Sequence, residues 1–212
     1  MTTSTASAPA RSDDRVRIAV LASGTGSNFR NLVECSRAGG LAGGEVVCLV
    51  SDRPDCGAAR WADDQGIASW RATHKSLGGR DAWEAQAVGY LREQRIDLIV
   101  LAGYMRVVGA ALLLPWEGRM INIHPSLLPA FPGLHAPAQA LAAGVSETGV
   151  TVHFVDSGMD TGPILAQRSV PVFPSDSLTT LTARIHEVEH ALLPSVVGQL
   201  CARYQHSVNE SI

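Results

Sequence analysis

Paired cysteines are missing from this sequence. Its four cysteines, at positions 35, 48, 56 and 201, never show the Cys-x-x-Cys spacing of a zinc ribbon or a redox pair. Four cysteines in 212 residues are also too few for a disulfide scaffold. We therefore expect free thiols, as in proteins of a reducing cytosol.

An excess of positive charge is missing as well. Seventeen Lys and Arg residues against twenty Asp and Glu give a net charge of -3, which speaks against a nucleic-acid partner. Charged residues make up 17% of the chain and apolar residues 46%, a balance that excludes wholesale disorder and can fill a core. The length predicts one domain, which we place at residues 15–205 between short tails at 1–14 and 206–212.

The sequence shows neither a secretory signal nor a clear membrane span. Residues 1–14 lack the long apolar stretch of a signal peptide, so we expect a flexible tail. Residues 98–116 approach membrane length, but Arg106 lies near their middle and Gly103 and Gly109 interrupt them. We therefore predict a strand, a loop and a short helix there, in a cytoplasmic protein that has no membrane partner.

Apolar runs alternate with helical patterns over the first 124 residues. The runs predict strands at 17–22, 45–50, 67–70, 97–101 and 120–123, and the helical patterns lie at 27–38, 56–65 and 81–94. This alternation predicts an α/β fold with a doubly wound, mostly parallel sheet. Two further strands, at 150–155 and 164–172, and a helix from about 177 to beyond 200 predict a mixed carboxyl-terminal extension.

The first predicted strand ends in a glycine-rich loop, Ser-Gly-Thr-Gly-Ser-Asn, at residues 23–28. Glycines allow close backbone approach, and the following helix offers free N–H groups, so the loop suits a phosphate. Ser27 and Asn28 fit a terminal monophosphate. A dinucleotide site with Asp52 on the ribose is an alternative, although Phe29 replaces the third glycine of that fingerprint. An ordinary turn with Ser27 as helix cap is another.

Asn122 and His124 follow the fifth predicted strand. Alternate residues of a strand project to the same face, so the amide and the imidazole lie side by side at the carboxyl end of the sheet. Together they can hydrogen-bond a developing oxyanion and transfer a proton. Asp160, in a later glycine-rich loop, is a candidate third partner, because a carboxylate orients an imidazole and favours its charged form. His153 in the preceding strand is expected to be a buried, supporting histidine.

The last helix carries His-Glu-Val-Glu-His at residues 186–190, which matches the H-E-x-x-H pattern of zinc hydrolases. Helical spacing places His186, Glu189 and His190 on one face, with Glu210 as a conceivable further ligand. The metzincin continuation fails, because position 193 is Leu, and Glu210 lies in a polar tail. We therefore expect no metal, and a polar helix face that lines a substrate pocket.

Four motifs in this order resemble the phosphoribosylglycinamide formyltransferases, a folate-dependent family of purine biosynthesis. They are Ser-Gly-Thr-Gly-Ser-Asn at 23–28, Ala-Gly-Tyr-Met-Arg at 102–106, Asn-Ile-His-Pro-Ser-Leu-Leu-Pro at 122–129 and Asp-Thr-Gly-Pro-Ile at 160–164. The resemblance runs from about residue 16 to 200 and implies the formyltransferase fold, whose amino-terminal half is Rossmann-like. Other formyl-folate enzymes, including the deformylases, share the third motif and remain alternatives.

The resemblance implies two substrates and no metal. Gly26, Ser27 and Asn28 would hold the phosphate of the ribonucleotide, and Glu189 and His186 would contact its ribose or phosphate. The co-substrate would be 10-formyltetrahydrofolate. Its implied contacts are Arg80, Met105, Arg106, Val107, Val108, Val155 and Asp156, with the loop around 155–160 closing over the pterin. Both partners are small molecules, and the protein would be a monomer or a homodimer.

The resemblance also implies a catalytic trio, Asn122, His124 and Asp160. The attacking amine has a pKa near 8, so one proton must leave before it attacks the formyl carbon. Asn122 and a protonated His124 would stabilise the oxyanion that forms. Asp160 would sustain the charge of the histidine and relay a proton towards the leaving nitrogen of the folate.

Overall fold

The structure, a computed structural model, describes residues 15–209, and side chains up to residue 205. The strands are β1 (Val16–Leu21), β2 (Gly44–Ser51), β3 (Ala68–Arg71), β4 (Leu98–Leu101), β5 (Met120–His124), β6 (Glu147–Phe154) and β7 (Ile164–Pro171). The helices are α1 (Ser27–Arg37), α2 (Gly57–Asp64), α3 (Arg80–Glu93), α4 (Ala110–Leu113), α5 (Ala136–Ala142) and α6 (Leu178–Asn209). The predicted tail at 1–14 lies outside the described residues, and α6 continues four residues past position 205.

All seven strands form one sheet in the order β3-β2-β1-β4-β5-β6-β7. The first five strands pair in parallel, whereas β6 and β7 pair antiparallel. This arrangement confirms the predicted mostly parallel α/β sheet with a mixed carboxyl-terminal extension. The direction of winding reverses between β1 and β4, and ligands of such sheets bind in the crevice beyond the strand ends at that point.

Alternate strand residues face two different cores. On β1, Ile18 and Val20 pack with α1, α2 and α6, while Ala19 and Leu21 pack with α3 and α4 on the opposite face. Because helices cover both faces, the central strands are continuous apolar runs. The predicted apolar stripe of α3, from Trp83 to Leu91, is buried as expected.

Two features differ from the sequence predictions. Helix α5 was not predicted, because its seven residues are too short for a clear helical period and follow a stretch rich in Pro and Gly. Strand β6 begins at Glu147, three residues before the predicted start, because its first residues are polar and small. In residues 98–116, the chain forms β4, a loop, α4 and a 3-10 turn, and no helix in residues 15–209 is long and apolar enough to cross a membrane.

Candidate active site

Asn122 and His124 lie on β5, and His153 lies opposite them on β6. The antiparallel register pairs Asn122 directly with His153, so their side chains meet across the two strands. The Asn122 amide Nδ2 lies 3.2 Å from His153 Nε2. His124 and His153 are buried, whereas Asn122 is partly exposed. The pleat of β5 and its pairing with β6 thus place an amide and two imidazoles together at the carboxyl end of β5.

The Asp160 carboxylate completes this group. Its Oδ1 lies 3.4 Å from Asn122 Nδ2 and 3.7 Å from His153 Nε2, and its Oδ2 lies 3.4 Å from His124 Nδ1. The Gly133 N–H donates to Oδ2 at 2.8 Å. Burial alone would raise the pKa of Asp160, but interactions with His153, the Gly133 N–H and His124 together hold it below the ordinary value. The carboxylate is therefore ionised at neutral pH.

Backbone carbonyls fix one nitrogen of each histidine. Because a carbonyl oxygen only accepts, His124 Nε2 donates to the Phe131 carbonyl at 2.9 Å, and His153 Nδ1 donates to the Phe154 carbonyl at 2.8 Å. His124 therefore turns Nδ1 to Asp160, and His153 turns Nε2 to Asn122 and Asp160. The sequence does not predict the hydrogen bond from His124 to the Phe131 carbonyl, since no sequence pattern marks the turn at Phe131.

The glycine-rich loop after β1 leads directly into α1. Gly26 occupies the cap position with a φ of 80°, and a Cβ there would lie 2.6 Å from the Ala58 Cβ. The alternative of Ser27 as helix cap is wrong, because Ser27 is the first residue of the helix and Gly26 caps it without a side chain. Because no side chain caps α1, the backbone N–H groups of its first turn have no hydrogen-bond partner within the helix.

The Asn28 side chain is turned away from this loop. It is buried, and its Nδ2 donates to Glu189 Oε2 at 2.8 Å across 161 residues of sequence. Any contact of Asn28 with a phosphate is thus made by its backbone N–H. Glu189 is also buried, and burial raises its pKa despite the Asn28 hydrogen bond and the nearby His190.

The three candidate zinc ligands of α6 do share a helix face, but they are not arranged around one point. His186 Nε2 lies 4.0 Å from Glu189 Oε2, and the His186 and His190 rings stack with centroids 6.4 Å apart. Glu189 is already bonded to Asn28. Within residues 15–209, no group of three His, Cys, Asp or Glu side chains is placed to hold a metal ion. Glu210 lies outside the described residues.

Residues Met105 to Val108 form an irregular segment after β4, beside the glycine-rich loop. Met105 and Val107 are each 50% exposed, so the segment presents apolar side chains to solvent, while Val108 is buried beneath it. The Arg106 Nε donates to Asp52 at 3.0 Å. Since Asp52 is buried and also accepts from Ser23, it is not free to bind a ribose, which removes the support for a dinucleotide site.

The remaining predicted folate contacts lie around this segment. Arg80 begins α3, one turn before Trp83, whose ring stacks on Tyr104. The Arg80 Nε donates a hydrogen bond to the neighbouring Asp81. Val155 follows β6 and packs against the core under α3 and α4. Asp156 accepts from Gly158 N–H and Thr161 Oγ1, so its carboxylate holds the 156–161 loop together.

The sequence profile of the family described as Formyl transferase matches residues 16–197. The chain belongs to this formyl transferase family. The resemblance that the four motifs carry is thus confirmed. Phosphoribosylglycinamide formyltransferase of Bacillus subtilis is 45% identical over 184 residues, which cover 87% of this chain and 94% of that protein.

Solved structures of formyl transferases show the same fold. Phosphoribosylglycinamide formyltransferase of Bacillus halodurans is 47% identical with a TM-score of 0.84, covering 87% of this chain and 94% of that one.

The trifunctional purine biosynthetic protein adenosine-3 of Drosophila melanogaster is 46% identical over 191 residues, 89% of this chain. The chain spans only 14% of the length of that fly protein.

Two buried acids of this formyl transferase, Asp52 and Glu84, make contacts that the sequence does not predict. The sequence pattern suggests Asp52 only as a ribose ligand, although Asp52 follows β2 as Ser23 follows β1, at the ends of two neighbouring strands. Glu84 was not singled out at all. It is the one charged residue on the buried stripe of α3, three and four residues before Ala87 and Val88, and that position was a usable signal.

Proposed function

We propose that this chain transfers the formyl group of 10-formyltetrahydrofolate to the amine of phosphoribosylglycinamide, a step of purine biosynthesis. The observation that carries the proposal is the group of Asn122, His124 and Asp160 beside the carboxyl end of β5. The Asp160 carboxylate lies 3.4 Å from both Asn122 Nδ2 and His124 Nδ1. It lies in a member of the formyl transferase family whose relative in Bacillus subtilis is named for this activity.

The reaction exchanges one carbon–nitrogen bond for another. The amine nitrogen bonds to the formyl carbon, the bond from that carbon to N10 of the folate breaks, and one proton passes from the amine to N10. The products are the formylated ribonucleotide and tetrahydrofolate. Binding both substrates at one sheet edge makes the attack effectively unimolecular, which supplies much of the rate.

Asn122 donates to the oxygen that becomes negative. Its amide carries two N–H bonds, and the contact with Asp160 at 3.4 Å is long and weak, so that N–H can turn to a ligand in the cleft. A donor aimed at a developing oxyanion is typically worth about 10²–10³ in rate. His124 adds positive charge when protonated and donates directly once its Nε2–H leaves the Phe131 carbonyl.

Asp160 serves as the acceptor for the proton. Its lowered pKa keeps it ionised, and two imidazoles and the Gly133 N–H hold its two oxygens in place. A fixed carboxylate takes the amine proton, directly or through water. His153 lies against both Asn122 and Asp160 and helps to keep these two side chains in place.

The two substrates occupy opposite sides of this group. The backbone N–H groups of Gly26, Ser27 and Asn28 bind the ribonucleotide phosphate, and Glu189 and His186 face its ribose. The folate lies along the segment from Met105 to Val108, with the remaining contacts at Arg80, Val155 and Asp156.

We also propose the setting in which the enzyme works. It is a cytoplasmic monomer or homodimer, a single domain over residues 15–205, that acts on small molecules and binds no nucleic acid. The four cysteines support a reducing compartment, since all are free thiols in the structure.

The test is a formyl-transfer assay with the purified chain. Mixing 10-formyltetrahydrofolate with phosphoribosylglycinamide should give the absorbance change of tetrahydrofolate formation, together with formylated ribonucleotide by mass spectrometry. The matched control omits the ribonucleotide. If the folate loses its formyl group equally fast in that control and formate appears, the chain is a deformylase and the proposal is wrong.

A further inference from the structure

The segment between β4 and α4, residues 103–109, has no regular structure but is held at both ends. At its start, the Ser23 N–H donates to the Gly103 carbonyl at 3.0 Å, and Ser23 Oγ accepts from the Met105 N–H at 3.2 Å. At its end, the Gly109 N–H donates to Glu84 Oε1 at 2.7 Å. The exposed Met105 and Val107 lie between these anchors.

Asp52 is the buried acid at the first anchor. Its Oδ1 accepts from Ser23 Oγ at 2.5 Å, and its Oδ2 accepts from Arg106 Nε at 3.0 Å. The Asp52 side chain is 1% exposed and the Arg106 side chain 54%. One carboxylate therefore holds the Ser23 hydroxyl, whose oxygen accepts from the Met105 N–H, and fixes the guanidinium by Nε, while about half of the Arg106 side chain stays exposed.

Glu84 is the buried acid at the second anchor. It is 2% exposed, and its Oε2 has no hydrogen-bond partner among the described residues. A Cβ at position 109 would lie 2.6 Å from that oxygen, so Gly109 leaves the space that the carboxylate occupies. A buried acid is costly unless it is bonded. Here its bond is to the backbone of the segment.

We propose that Asp52 and Glu84 are positioning residues for the folate co-substrate. They act through the backbone of residues 103–109 and through Arg106, and touch no substrate themselves. The inference rests on the proposed function, because it takes the segment as the folate-binding surface. Loss of either anchor lets the segment move, so folate binding weakens while the chemistry at Asn122, His124 and Asp160 continues.

The experiment compares Asp52→Ala, Asp52→Asn, Glu84→Ala and Glu84→Gln with the unmodified chain. The readouts are kcat, the KM of each substrate, the Kd of tetrahydrofolate by titration calorimetry, and the thermal midpoint. Both alanine variants should raise the KM of the folate and the Kd of tetrahydrofolate about tenfold or more, as expected for a lost charged hydrogen bond. We expect kcat and the ribonucleotide KM to change less than about threefold.

The conservative variants separate positioning from mere folding. Glu84 makes one bond as an acceptor, so the Gln carbonyl should restore nearly normal folate binding. Asp52 accepts two bonds, so Asn, with one acceptor, should give an intermediate Kd. Asp176→Asn is the matched control, since the Asp176 side chain is 4% exposed and is bonded to Phe173, Thr180 and Arg184 rather than to this segment. It should leave both KM values unchanged.

Two results would contradict the proposed positioning role of Asp52 and Glu84. An unchanged folate Kd in both alanine variants overturns the proposal, and so does an equal rise in the KM of both substrates, which would indicate a structural role. If Asp52→Ala does not fold, Ser23→Ala tests the same anchor. If the unmodified chain binds tetrahydrofolate but transfers no formyl group, the proposed function fails while the titrations still test the anchors.

Discussion

Asp160 shows how one residue can organise a site. Its φ of 56° lies in the left-handed region, an unusual conformation for a residue with a side chain. In that conformation the carboxylate meets His124, His153 and the Gly133 N–H at once. Strained backbone at a cluster of bonded polar groups is typical of functional sites, because the surrounding contacts must hold it there.

Replacement of Asn122 by Ala should lower kcat by about 10²–10³, because it removes the donor to the oxyanion. The KM of each substrate should change little, since the bond strengthens only in the transition state. Steady-state kinetics with both substrates varied would measure this. A kcat equal to that of the unmodified chain would exclude Asn122 from the mechanism.

Replacement of Asp160 by Asn should abolish turnover while both substrates still bind. The variant keeps the size of the side chain and an acceptor for the Gly133 N–H, but loses the charge and the proton acceptor. Because the pKa of Asp160 is lowered, the carboxylate is ionised across the neutral range and its loss should be felt at every working pH. Titration calorimetry with each substrate, beside the activity assay, would check this; substantial turnover would refute the proton-relay role.

At the scale of elements, the loops at the ends of β1, β4 and β5 decide what the sheet can bind. The parallel pairing of β1 with β4 and of β4 with β5 brings these strand ends to one edge. The sheet and its two cores provide a rigid base, whereas the loops supply the polar groups. The close packing of α2 against the first loop, at Ala58 and Gly26, fixes the start of α1.

Replacement of Gly26 by Ala should destabilise the fold more than replacement of Gly39 by Ala. Both glycines have a positive φ, of 80° and 76°, but a Cβ at Gly26 meets Ala58, whereas nothing lies within 4 Å at Gly39. The overlap should add about 1–3 kcal/mol to the conformational cost that both share. Urea unfolding would measure the difference, and only the Gly26 variant should raise the ribonucleotide KM. Equal losses would mean that α2 yields freely.

The sequence was informative wherever the signal is local. Apolar runs marked the central strands β1 and β4, because strands buried on both faces carry few polar residues. Asn122 and His124 could be paired because a strand has a period of two. The contacts of Asp52 with Arg106, and of Asn28 with Glu189, could not be predicted, because they join residues 54 and 161 positions apart. Such pairs depend on strand order and loop geometry, which no local pattern records.

At the scale of the whole molecule, the site uses both ends of the chain. Helix α1 follows the first strand, and α6 is the last described element, yet Asn28 and Glu189 are bonded in the interior beside the glycine-rich loop. The core under α1, α2 and α6 is continuous, so the loop and the polar face of α6 rest on the same packed side chains. The bond between Asn28 and Glu189 therefore forms only once α6 has packed on the core that it shares with α1.

Glu189 should cost this assembly stability as the pH rises, and replacement by Gln should remove that cost. Burial raises the pKa of Glu189 above its ordinary value of 4.5, so the folded state binds the proton more tightly than the unfolded state. The stability that this proton contributes is present below pH 4.5 and is lost as the pH rises through the folded pKa.

Glu189→Gln keeps an acceptor for Asn28 and should therefore become progressively more stable than the unmodified chain above pH 4.5, while its ribonucleotide KM rises. Glu189→Ala, which leaves the buried Asn28 amide unbonded, should be less stable than Glu189→Gln by about 1–3 kcal/mol at every pH, since neither side chain titrates. Urea unfolding of the three proteins between pH 4.5 and 8 would test this, and a Gln variant whose stability runs parallel to the unmodified chain would show that Glu189 does not titrate abnormally.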